Sequence, residues 1–191
     1  MNYINKVKRV LINFFVTVTL KAGLKKRYSR SQINILNNLD VLVVSPGGVG
    51  TTALIDHCKN YLTINDRDNL DGLKHKIKPF KNFKKELKVI YIDGDSLDIY
   101  YSLKRRDYFQ TQLLNFESLL GVISSRLVGV KKFEKLLKLH KQNWCNMTHE
   151  NILFLNYENL FESSKKINSF LNIQESHFVE TFPKRKKRIK S

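Results

Sequence analysis

Three short apolar runs punctuate the chain, and each empties into a turn. Asp40-Val41-Leu42-Val43-Val44 is continuous and rich in β-branched residues, the pattern of a strand buried on both faces. It stops at Ser45-Pro46-Gly47-Gly48. Lys88-Val89-Ile90-Tyr91-Ile92 ends at Asp93-Gly94-Asp95-Ser96, and Asn151-Ile152-Leu153-Phe154-Leu155 leads into Tyr157-Glu158-Asn159-Leu160. Between these runs the spacing turns helical. From Thr51 onward Ala53, Leu54, His57 and Tyr61 fall on one face, Leu97 to Gln110 and Thr111 to Ile123 read as two helices, and a further helix starts at about Ser163 and runs to Leu171. Lys131 to Asn143 is strongly amphipathic, with Phe133, Leu136, Leu137 and His140 on one side and lysines on the other. Strands that alternate with helices predict an α/β fold with a mostly parallel central sheet, its ligands bound at the carboxyl ends of the strands.

Composition narrows this picture without choosing a function. The 191 residues suit one domain. A hydrophobic content of 42% excludes a disordered polyelectrolyte, although 34 basic against 17 acidic residues leave a formal charge of +17. That excess belongs on the surface, where it attracts anionic partners. Cys58 and Cys145 stand far apart, so neither a disulfide framework nor a cysteine metal site is expected, and a reducing cytoplasm is the plain expectation. The run from Val10 to Leu20 is shorter than the roughly 20 apolar residues a membrane span requires. Flanked by Lys6, Lys8, Arg9, Lys21, Lys25 and Lys26, it suits a buried or dimer-facing segment, contact of residues 1–26 with an anionic membrane surface, or a short signal-like run. The expected division is a basic, apolar arm over 1–39, the domain over 40–183, and a basic tail over 184–191 that includes Arg185 and Lys186.

Chemistry concentrates in Ser45-Pro46-Gly47-Gly48-Val49-Gly50-Thr51-Thr52. A strand precedes it and a helix follows. Glycines let successive backbone N–H groups converge on an anion, and the helix N-terminus adds its positive dipole end. Threonine hydroxyls of the first turn can donate to further oxygens. The nucleoside-triphosphatase pattern G-x-x-x-x-G-K-[ST] is not met, because position 51 holds threonine in place of lysine and position 45 holds serine in place of glycine.

Pro46…Gly50-Thr51-Thr52 resembles the 5′-phosphosulfate loop of the P-loop sulfotransferases, which read Pro-x-Ser-Gly-Thr-Thr. Three more segments follow in that family's order. Lys74-His75…Pro79 resembles the segment that carries the catalytic histidine. Asp98-Ile99-Tyr100-Tyr101-Ser102 resembles the 3′-phosphate segment, ending in its serine. Tyr157-Glu158-Asn159-Leu160 with Phe170-Leu171-Asn172-Ile173 resembles two further landmarks. The likeness covers roughly residues 40–188. It implies a three-layer P-loop fold and 3′-phosphoadenosine 5′-phosphosulfate as sulfuryl donor. It implies binding by Gly47, Gly48, Val49, Gly50, Thr51, Thr52 and Ser102, with His75 as the base that takes the acceptor's proton and no metal. Two family cations are missing: the loop lysine or arginine falls at Gly48, and the 3′-phosphate arginine falls at Gly94. Lys104, Arg105 and Arg106, one turn beyond Ser102, and Arg185 and Lys186 of the tail are the expected replacements.

The acceptor expected for such a protein is a hydroxyl compound, with an anionic saccharide or lipid-linked glycan suited to the basic surface. Its determinants are sought in residues 67–88 and in the helices of 111–143. Three other readings stay open at this stage: a non-catalytic nucleotide-binding module of the same ancestry, a P-loop kinase, and a nucleic-acid-binding protein. The last has no helix-turn-helix, zinc-finger or RNA-reading aromatic motif behind it. His57 is expected to pack against the sheet.

Overall fold

The computed structural model describes residues 28–116, 128–147, 149–174 and 176–185. It is an α/β structure built on a small parallel sheet of β1 (Val41–Val44), β2 (Lys88–Asp93) and β3 (Ile152–Asn156), in the order β1-β2-β3. Eight helices flank it among the described residues: α1 (Arg30–Asn38), α2 (Thr51–Cys58), α3 (Ser96–Arg105), α4 (Phe109–Asn115), α5 (Val130–Cys145), α6 (Tyr157–Leu160), α7 (Ser164–Leu171) and α8 (Ser176–Glu180). All three apolar runs are strands.

The register sets which side chains share a face. Val43 pairs with Ile90, which pairs with Leu153, and all three point into one core with Leu54, Leu103, Phe133 and Phe178. Leu42, Val44, Val89 and Tyr91 point the other way, into a second core with Leu36, Leu39, Leu73 and Trp144. Burial on both faces explains why β1 and β2 read as unbroken apolar runs rather than as alternation. Each fully buried aliphatic side chain contributes about 1.5–3 kcal/mol. On β3 the burial alternates, and Phe154 is 39% exposed despite the run's uniform hydrophobicity.

The outer edge of β1 is closed by loop residues. Thr63 O accepts from the backbone N–H groups of Asp40 and Val41, Ile64 bridges to Val41, and Asn65 uses its side chain as a surrogate strand. Its Oδ1 accepts from Val43 N at 2.7 Å and its Nδ2 donates to Val43 O at 3.1 Å. Ser45 N then donates to Lys74 O at 3.0 Å. The same edge therefore draws residues 74–75 to the carboxyl end of β1.

Two expectations change. The described part of residues 1–39 packs into the domain: α1 carries a capping box between Ser29 and Gln32, and Leu36 and Leu39 are buried against the sheet. The helix expected over Leu97 to Gln110 is broken after Arg105, where Asp107 takes a left-handed φ of 59° and the chain restarts as α4. Residues 1–26 and Lys186 lie outside the described residues. No helix of the described residues is long and apolar enough to cross a membrane.

Candidate functional site

Where β1 ends, Ser45 is fully buried and its Oγ accepts from Gly47 N at 3.1 Å, which starts the glycine-rich turn. Gly48 and Gly50 adopt φ of 76° and 71°, a backbone region that disfavours side chains. At Gly50 a side chain is also excluded by contact, since a Cβ there would lie 2.9 Å from Tyr157 Cε2. Gly50 is the N-cap of α2 and supplies no side-chain cap. The backbone N–H groups of Gly48, Val49, Gly50, Thr51 and Thr52 have no acceptor among the described residues. Five such donors at a helix N-terminus are the kind of group that can hold an anion.

This turn forms one wall of a cleft of about 700 Å³, a volume in the range of small-molecule sites. Gly47, Gly48, Val49, Gly50, Thr51, Thr52, His75, Ser102, Arg105 and Arg106 all line it. Three stretches of the sequence, 47–52, 75 and 102–106, thus meet in one place. Arg185 does not line the cleft. Its guanidinium makes a paired contact with the Glu158 carboxylate at 3.0 and 3.3 Å and lies 5.4 Å from the ring centre of Tyr157, a cleft residue.

His75 owes its position to the β1 edge. Its Nδ1 donates to Ser45 O at 2.8 Å, which leaves Nε2 as the nitrogen able to accept a proton. Burial is the main influence that pulls its pKa down, to about 4, and the charges of Lys74 and Arg106 act in the same direction against the Ser45 carbonyl. The ring is neutral at neutral pH.

Positions 48 and 94, where the resemblance leads one to expect cations, have different surroundings. A Cβ on Gly48 would lie 3.5 Å from Arg106 Nη2, so the guanidinium of Arg106 covers the position that a side chain at 48 would cover. Arg106 Nε donates to Ser102 O at 3.1 Å, which fixes the guanidinium at the carboxyl end of α3. A helix C-terminus favours positive charge. At Gly94 a Cβ would meet Val49 Cγ1 at 2.9 Å. Val49 is 1% exposed, so the packing of the turn against β2 leaves position 94 without a side chain.

Other groups on the cleft wall were not legible in the sequence. Arg67 is already engaged by Asp56 at 2.7 Å. Lys74 is 6% exposed, its ammonium donates to Arg67 O, and burial lowers its pKa. Gln112 on α4 packs against Gly47. Lys74 belongs to the Lys74-His75 segment, but Arg67 and Gln112 belong to no motif, and only the fold brings them to the cleft. His57 is buried, but against α8 and its neighbours rather than the sheet: Nε2 donates to Phe178 O at 2.9 Å and the ring lies among Tyr61, Phe178 and Phe182.

No family model matches the chain, and comparison with curated proteins and with solved structures likewise gives no match.

Proposed function

We propose that the cleft binds a nucleotide bearing a 5′-phosphosulfate and that the protein is a sulfotransferase of the three-layer P-loop class, acting on a hydroxyl acceptor. The observation that carries this reading is the meeting of the five unpaired amides, His75, Ser102 and Arg106 in one cleft. The residues fit the donor: amides and threonine hydroxyls for the 5′ end, Ser102 with Arg105 for the 3′-phosphate, and Arg106 between them over Gly48. When bound, the donor supplies an activated sulfuryl group.

In this reading the chain's own residues position and stabilise. The amides of 48–52 and the Arg106 guanidinium compensate negative charge on the transferred group and its leaving oxygen, in the manner of phosphoryl-transfer sites. His75, neutral and with Nε2 unprotonated, accepts the proton of the acceptor hydroxyl. The Ser45 carbonyl holds the ring in that tautomer.

A non-catalytic nucleotide-binding role is the second reading, and the closed position at Gly94 is what favours it. Calorimetry with 3′-phosphoadenosine 5′-phosphate, followed by a transfer assay on a panel of hydroxylated and anionic saccharide acceptors, separates the two. Binding with transfer supports the enzyme. Binding without transfer supports the module, and no binding removes both.

A further inference from the structure

Gln112 is 3% exposed, sits on α4, and lines the cleft beside the turn. Its Oε1 accepts from Asn115 Nδ2 at 3.4 Å and would lie 3.1 Å from a Cβ on Gly47. Its Nε2 is buried and has no hydrogen-bond partner among the described residues. Buried amide donors are nearly always satisfied, and one left over beside an anion-binding turn calls for an explanation.

We propose that Gln112 is a ligand-binding residue of this cleft, its side-chain amide completing the set of donors that the turn presents to an anion. The inference rests on the anion-site reading above. The geometry is particular to this chain. Arg106 covers Gly48 and Gln112 covers Gly47, and both reach the turn from the corner between α3 and α4 that Asp107 makes with its left-handed backbone. Nε2 would lie 3.6 Å from a Cβ on Gly47, so the unpaired donor already stands beside the turn while Oε1 keeps its bond from Asn115. Arg106 then supplies charge and Gln112 a neutral, directional hydrogen bond, and together they take the part of a single loop cation.

The test uses the full chain and two variants, Gln112→Leu and Gln112→Met. Each is titrated calorimetrically with inorganic pyrophosphate and with 3′-phosphoadenosine 5′-phosphate, and each free protein is melted. Both variants are expected to bind the probes about tenfold more weakly. Their melting temperatures should be unchanged or raised by about 2–4 °C, because an unpaired buried donor has been removed. Unchanged affinity overturns the proposal. So does weaker binding accompanied by a lowered melting temperature in both variants, which would make Gln112 a packing residue. If the unaltered protein binds pyrophosphate but not the nucleotide, and the variants lose that binding tenfold, the nucleotide reading fails while Gln112 stands. If it binds neither probe, both fall.

Discussion

His75 Nδ1 lies 2.8 Å from the carbonyl oxygen of Ser45, the residue that follows β1 and begins the glycine-rich turn. One backbone group therefore fixes the histidine tautomer and the entry to the turn together. The reciprocal bond from Ser45 N to Lys74 O secures the same junction from the other side. His75 and the turn are registered to each other by the edge of a strand.

His75→Ala is expected to lower turnover by about 100- to 10,000-fold while leaving the affinity for 3′-phosphoadenosine 5′-phosphate nearly intact. Because the pKa of His75 is pulled down to about 4, kcat/KM should hold level through the range where an ordinary histidine titrates. It should fall only as pH drops through about 4. Equal losses of binding and turnover would reassign His75 to binding.

Acid should destabilise the fold through its buried histidines. His140 is fully buried, accepts from Tyr91 Oη at Nδ1, and has its pKa lowered to about 3, mainly by burial. His75 and His57 are shifted in the same direction. Below the ordinary value near 6.5 the unfolded chain binds protons that the folded chain refuses. Stability is therefore fully present above that value and declines as pH falls towards about 3–4, by up to about 1.4 kcal/mol per pH unit for each proton. Urea unfolding at pH 7 and pH 5 measures the slope. His140→Gln should reduce it, and an unchanged slope would contradict this source of the pH dependence.

Gly94→Ala places a methyl group 2.9 Å from Val49 Cγ1. The β-branched neighbour has little freedom to move, so a cost of about 1–3 kcal/mol is expected. The double variant Gly94→Ala/Val49→Ala should be less destabilised than the sum of the single changes. Additive values would show that the two positions are not coupled. Gly94→Arg should lower nucleotide affinity, since it displaces the turn.

Arg106→Ala is expected to weaken nucleotide binding about tenfold or more, as for loss of a charge-assisted hydrogen bond. Arg106→Lys should recover part of that loss. The titration is read by calorimetry, and an affinity unchanged by Arg106→Ala would leave the site without a counterpart for the cation absent at Gly48.

How much of this was legible in the sequence follows from the range of each signal. The apolar runs at 41–44, 88–92 and 152–155 announced strands because burial is written in composition, and the strand–turn–helix order announced the cleft. The meeting of His75 with the turn depended on Asn65 and Thr63 closing the β1 edge, a tertiary contact that no local pattern carries. The break at Asp107 was hidden because apolar spacing continues across it. The helix Arg30–Asn38 falls in a stretch whose composition reads only as a basic, apolar arm, and its docking through Leu36 and Leu39 is a tertiary contact. Gln112 had no motif around it and became visible only by its unpaired amide.

The amides of residues 48–52 can be observed one by one. In a two-dimensional nitrogen–proton NMR titration with 3′-phosphoadenosine 5′-phosphate, the backbone signals of Gly48, Val49, Gly50, Thr51 and Thr52 should move furthest and saturate together with Ser102. Saturable binding that leaves those five signals in place would contradict the assignment of this turn as the anion site.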